Sequence, residues 1–393
     1  MTPCRERLLL GILALAIVAV PAFPSELGGL DSASESLGTV LRDARKTRTS
    51  ALPAPRAKSS EDGSLSYASV CGGDGAALAA QREQRLKTGL RALEPQLRPR
   101  FSALAARYGL PAASGDDYID STLKSITYTF PYDAVKAKEA LSAFSEAIEQ
   151  AVLARVTLPD YARLKETMIA RIRMKPTLSA EAKDALVRRI QLTTMMLPSR
   201  YIREYLTTTD ELWPVVSLLA SDQAWNVSYD DLGGAANPDL TPDQSLIIVY
   251  PGILLAEDRG DGSSHLDYVL AHEAAHSIDS GRFPRLYGGY IGCMKERGGT
   301  DFKAWDEVLA DYWAADTLAQ TLPDVAPEVN AGHLRDSFEI ICGTSGDAGD
   351  SLIGRFILAE HPSGRYRIDN ILGSDPGIRR SLGLPAAPAV CAL

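Results

Sequence analysis

The amino-acid sequence predicts a mainly α-helical protein of the α+β kind, with a small sheet placed late in the chain. Three observations predict it. From Ala76 to about Ala220 apolar residues recur at helical spacing, with breaks at Pro111, Pro131, Pro159, Pro176 and Pro198. Two short runs rich in β-branched and aromatic residues follow, Gln223–Tyr229 and Ser245–Pro251. Two further helical segments, Leu266–Ser280 and Trp305–Trp313, come after them.

Taken in order, the chain begins with a targeting segment. Arg5 and Arg7 precede an apolar run from Leu8 to Val20, and Val20 and Ala22 fit a small-residue cleavage pattern. Residues 1–22 read as a signal peptide, since the run is shorter than the roughly 20 apolar residues of a membrane span. A membrane becomes a partner only if this segment is retained as an anchor. The expected location is secreted, periplasmic or extracellular. There the four remaining cysteines, Cys71, Cys293, Cys342 and Cys391, suffice for two bridges, with buried free thiols as the alternative. Residues 23–66, rich in Ser, Ala, Pro and Arg, show no sustained apolar period and read as a flexible linker.

Order is expected from Tyr67, and residues 67–220 form the helical region. Its clearest helices are Ala76–Leu93, Asp133–Val156, Tyr161–Met174 and Ala180–Met196. With 45% hydrophobic and 23% charged residues the chain can bury a sizeable core. The net charge is −9, although residues 1–60 alone are basic, with eight Lys/Arg against five Asp/Glu. The body is therefore acidic, which argues against nucleic acid as a partner.

The chemistry lies in residues 221–393. Val269-Leu-Ala-His272-Glu273-Ala-Ala-His276-Ser-Ile-Asp279 contains H-E-x-x-H in a stretch without proline or glycine. Residues four apart on a helix share one face, so His272 and His276 can grip the same ion, and neutral imidazoles suit zinc. Glu273 between them can act as general base toward a water at the metal. A third ligand must come from elsewhere. Glu307 and Asp311 stand at i and i+4 on the second helix, so Glu307 would complete a His-His-Glu set. Asp311, one turn on, is placed to accept the N–H of a ligand imidazole and fix its tautomer. Asp279 could do similar work for His276. A structural alternative is a solvated helix face carrying these acids by accident.

Several of these pieces together resemble the neprilysin (endothelin-converting enzyme) family of zinc metallopeptidases, a gluzincin family. Val269–Asp279 is similar to its V-x-x-H-E-x-x-H-x-x-D, and Glu307–Asp311 to its E-x-x-A-D segment. Trp225-Asn226-Val-Ser-Tyr229 resembles the N-A-[FY]-Y motif, and Ile247–Leu254 the strand that follows it. His361-Pro-Ser-Gly-Arg-Tyr-Arg367 resembles H-x-P-G-x-[FY]-R with its proline transposed. The resemblance implies a zincin-type catalytic domain over 221–393 and one Zn2+ per chain held by His272, His276 and Glu307. It implies Glu273, His361 and Asp311 as catalytic residues, with His361 a donor to the transition state. Asn226 and Arg367 would bind substrate, and the disulfides would be Cys71–Cys342 and Cys293–Cys391.

The likeness is thin before Trp225. Family members are commonly near twice this length, so the helical lid over the cleft must be reduced here. Val227-Ser228 and Ala256-Glu257 also depart from the family's aromatic positions. The expected function is a secreted zinc endopeptidase acting on peptides or unfolded polypeptides. Two other readings compete: a weak or inactive peptide-binding or structural zinc protein of the same fold, and an aminopeptidase-type gluzincin. Glu273 speaks against the first, because a structural site has no need of a base. No recognisable anchor for a substrate amine supports the second.

Overall fold

The computed structural model describes residues 67–71, 75–113, 117–219, 227–231, 244–258, 266–298, 305–319, 337–342, 364–372, 379–380, 391 and 393. The signal peptide and linker expected over residues 1–66 lie outside them. Most of the described residues are helical, as the proline-punctuated pattern predicts. Among the described residues eight helices precede the second strand: α1 Tyr67–Cys71, α2 Gly75–Tyr108, α3 Tyr118–Thr129, α4 Ala134–Leu153, α5 Tyr161–Met174, α6 Ala180–Gln191, α7 Pro198–Tyr205 and α8 Thr209–Leu219.

Local chemistry starts several of them. The side chains of Asp133, Asp160 and Ser179 accept the N–H of Lys136, Arg163 and Ala182, satisfying donors that a helix start leaves without a partner. Two expected boundaries are corrected. The helix from Ala76 runs on past Leu93 to Tyr108, although Pro95 and Pro99 lie inside it. Each proline removes a donor, but Leu93, Leu97, Phe101 and Leu104 are all buried along the same face, and Phe101 stacks on Phe144 of α4 at 4.8 Å. Burial of that stripe outweighs the local cost. The helix from Ala180 stops at Gln191 instead of Met196, and Thr193–Met196 forms strand β1. Paired threonines lose side-chain freedom on a helix and suit a pleated surface, and a sheet partner is at hand.

That partner is the strand at Ser245–Val249. Among the described residues the sheet has three strands: β1, β2 Val227–Asp231 and β3 Ser245–Val249, in the order β1-β3-β2. β1 runs parallel to β3, with Met195 beside Ile247; β2 runs antiparallel, with Tyr229 beside the same Ile247. The central strand is buried at all five positions, which fits its unbroken Leu-Ile-Ile-Val run. Pro251 then opens the short buried helix α9, Pro251–Ala256. Arg82 and Arg85 of α2 fasten this corner. Arg82 pairs with Glu257 at 3.1 Å and donates to the carbonyls of Glu339 and Cys342, and Arg85 donates to Ala256 O at 2.6 Å.

Among the described residues the region that carries the site includes α10 Asp267–Ala275, α11 Gly288–Gly298 and α12 Trp305–Leu318. α10 packs against α12, α5, β2 and β3, so both expected metal-binding helices lie side by side. Every residue of α12 from Val308 to Leu318 is buried, including two aspartates. Each aspartate has cations, as burial of charge requires. Asp316 meets Arg171 of α5 at 2.6 Å and Lys175, the residue after that helix, at 3.0 Å; Asp311 meets Arg367 at 2.6 Å. A single hydrophobic core runs from Leu93 on α2 through Ile247 to Trp313, so the helical region and the later elements share it.

Disulfides join Cys71 to Cys342 and Cys293 to Cys391, with Cα–Cα separations of 5.6 Å in each. These are the pairs the family resemblance implies. Among the described residues no helix is long and apolar enough to cross a membrane.

Candidate metal centre

His272 and Glu273 stand near the end of α10, which closes at Ala275; His276 opens a single 3-10 turn, His276–Ile278. The four-residue spacing brings both rings to one side, where they meet edge to face with centroids 4.9 Å apart. Glu307, in the first turn of α12, reaches both. Its Oε2 lies 3.1 Å from His272 Nε2 and its Oε1 3.6 Å from His276 Nε2. One ligand atom from each of the three residues lies within 4.8 Å of the others, the only such group of metal-ligating side chains found among the described residues. The expected His-His-Glu set is thus assembled, and it could hold a metal ion.

The groups behind these ligands explain their orientation. His272 Nδ1 is 3.0 Å from Asp311 Oδ1. A carboxylate only accepts, so this nitrogen carries a hydrogen and Nε2 is turned toward Glu307. Asp311 is fully buried and held from two further sides. Arg367 grips it through Nε at 2.7 Å and Nη2 at 2.6 Å, and the Tyr268 hydroxyl donates to Oδ1. His276 Nδ1 lies 3.6 Å from Asp279 Oδ2, while Asp279 Oδ1 accepts the N–H groups of Gly281 at 2.9 Å and Arg282 at 3.3 Å.

Charge in the centre follows from this arrangement. Burial works against a charged His272, but hydrogen bonds to Asp311 and Glu307 outweigh it and push its pKa up to about 10. Burial likewise opposes protonation of His276, and the contact with Asp279 raises its pKa all the same. Burial pushes the Asp311 carboxyl up, yet Arg367 and His272 together hold it well below the usual carboxylate range. Two imidazoles facing carboxylates on both sides call for a positive charge between them. Protons supply it when no ion is bound, and a divalent cation with nitrogen and oxygen ligands would supply it in their place. The residues therefore fit a divalent metal ion by their donor set.

Exposure is uneven around the centre. The side chains of His276 and Glu307 are 14% and 15% exposed, against 4% for His272 and 0% for Asp311. The centre is therefore reached from the His276–Glu307 side, and Glu273 is half-buried beside it.

The other expected site residues divide in two. Asn226 and His361 lie outside the described residues, so their positions relative to the ligands are not part of this geometry. Arg367 is described and buried, with one edge of its guanidinium occupied by Asp311. Sequence reasoning missed Tyr268. It stands one helical turn before His272, and that spacing alone could have pointed to it as a companion of the same face. Compared with family models, curated proteins and solved structures, the chain matches none.

Proposed function

We propose that this chain is a zinc-dependent endopeptidase of neprilysin type. The observation that carries the reading is the meeting of His272, His276 and Glu307 around one point, with Glu273 on the same helix end as the two histidines. When bound, zinc would polarise a carbonyl and lower the pKa of a water. His272, His276 and Glu307 would hold the ion, and Asp311 would keep His272 in the tautomer that leaves Nε2 for it. Glu273 would take a proton on its carboxylate from the attacking water and later give it to the leaving amine. The retention of a glutamate base at this position favours turnover over a purely structural metal site.

The resemblance adds His361 as a donor to the charge developing on the scissile carbonyl, and Asn226 as a partner for substrate backbone. Arg367, bound edge-on to Asp311, would bind substrate with the donors that Asp311 leaves to it, while also fixing the acid that orients His272. The two disulfides and the apolar run Leu8–Val20 support a location outside the cytosol. Metal analysis of the purified protein, beside cleavage of a quenched fluorescent peptide with and without chelator, tests the reading. One equivalent of zinc and chelator-sensitive cleavage are expected. Zinc bound without cleavage of any peptide would leave a metal protein and refute the peptidase.

A further inference from the structure

We infer that Arg189, Tyr287 and Trp313 are positioning residues for the metal centre: they hold the turn His276–Ile278 by its carbonyls and so set where His276 meets Glu307. This rests on the metal-centre reading given above. His276 is not carried by the regular part of α10, which ends at Ala275. The last carbonyls of a helix have no partner within it, and buried ones must find partners elsewhere. Two such carbonyls follow His276 directly. Ser277 O accepts from Arg189 Nε at 3.3 Å, and Ile278 O accepts from the Tyr287 hydroxyl at 2.5 Å.

Both donors are anchored in turn. Arg189, buried on α6, also donates through Nη2 to Ser245 Oγ at 3.2 Å, at the start of β3. Its positive charge suits the negative end of α10. Tyr287 accepts from Trp313 Nε1 at 3.2 Å. An indole N–H only donates, so the direction of this chain is fixed: Trp313 donates to Tyr287, and Tyr287 donates to Ile278. Trp313 lies on α12, the helix that carries Glu307 and Asp311. The turn is thereby tied both to the sheet and to the helix of the third ligand. His276 depends on that tie more than His272 does. His272 sits within α10 and has Asp311 at 3.0 Å, whereas the Asp279 contact of His276 is 3.6 Å long.

The test uses the full chain and needs no peptidase assay. Zinc affinity is measured by competition with a chromogenic chelator, the visible spectrum is recorded with cobalt(II) in place of zinc, and unfolding is followed on metal-free protein. Tyr287→Phe is expected to weaken zinc binding about tenfold and to shift the cobalt spectrum, as loss of a group supporting a ligand does. Arg189→Met is expected to do the same, and Arg189→Lys to restore part of the loss. Tyr312→Phe removes a buried hydroxyl on α12, bonded to Lys175 at 2.5 Å, and serves as the control for stability alone. It should leave zinc affinity and the cobalt spectrum as in the wild type. If Tyr287→Phe and Arg189→Met cost only stability, like the control, the inference is overturned while the metal centre stands. If Tyr287→Phe does not fold, the Arg189 pair decides by the same measures. Failure of the wild type to bind zinc or cobalt overturns both readings.

Discussion

Asp311→Asn separates what the centre needs for metal from what the core needs for stability. The carboxylate receives the Tyr268 hydroxyl, His272 Nδ1 at 3.0 Å and Arg367 Nη2 at 2.6 Å on Oδ1, and Arg367 Nε at 2.7 Å on Oδ2. Asparagine keeps the shape but offers one accepting oxygen and one donating nitrogen. Turned the better way, its oxygen serves the three donors at Oδ1 and its amide faces the Arg367 Nε–H, donor to donor. The buried guanidinium also loses its counter-charge. Removing one partner of a buried pair costs about 3–5 kcal/mol, so unfolding of the metal-free variant should show a loss of that order. Metal affinity should fall by about 10- to 100-fold, since the hydrogen bond that orients His272 is weakened. That second loss corresponds to about 1.4–2.8 kcal/mol. Asp316→Asn is the matched control. Asp316 is equally buried on the same helix and equally paired, to Arg171 and Lys175, but it faces no metal ligand in the contacts described above. It should lose similar stability with little change in metal affinity. Equal metal affinities for the two variants in a chelator competition would refute the role given to Asp311.

Glu273→Gln should retain zinc and lose about 10²- to 10⁴-fold in cleavage rate, as loss of a general base does; Glu307→Ala should lose the zinc itself, read by metal content after gel filtration. The metal-free protein should also respond to pH through His272. Its folded pKa is raised from 6.5 to about 10, so its stabilising contribution is complete below pH 6.5 and is lost as pH rises to about 10. Unfolding of the metal-free protein should weaken over that window, while zinc affinity climbs because the ion displaces the proton; a flat affinity between those limits would contradict the charge assignment. Peptide mapping without reduction should recover Cys71 linked to Cys342 and Cys293 linked to Cys391. Replacing Cys71 and Cys342 together by serine should cost about 5 kcal/mol, because that bridge closes a loop of 271 residues.

The pairing of His272 with His276 was legible because one period decides it, whereas Glu307 comes from a separate helix. Residues four apart on a helix share a face, and the same rule linked Glu307 to Asp311. The strand–helix–helix order around the centre was legible from a β-branched run followed by two stretches of helical period. What periodicity cannot see is which distant groups stand behind a ligand. The family resemblance makes Arg367 a substrate group, and nothing local in its sequence announces its grip on Asp311, 56 positions away. The frame of Arg189, Tyr287 and Trp313 around the turn was invisible for the same cause. Boundaries failed where tertiary packing overrode local preference. Pro95 and Pro99 did not end α2, and Thr193–Met196 left the helix once β3 offered a ladder.

The two disulfides have a consequence for the topology of the covalent chain. The loop from Cys71 to Cys342 and the loop from Cys293 to Cys391 overlap between residues 293 and 342. A break before Cys293 leaves the pieces joined by the first bridge, one after Cys342 leaves them joined by the second, and one in the overlap leaves both bridges spanning it. A single hydrolysed peptide bond anywhere from Cys71 to Cys391 therefore releases no fragment. Nicked once within that span, the chain still keeps His272, His276 and Glu307 on one covalent molecule.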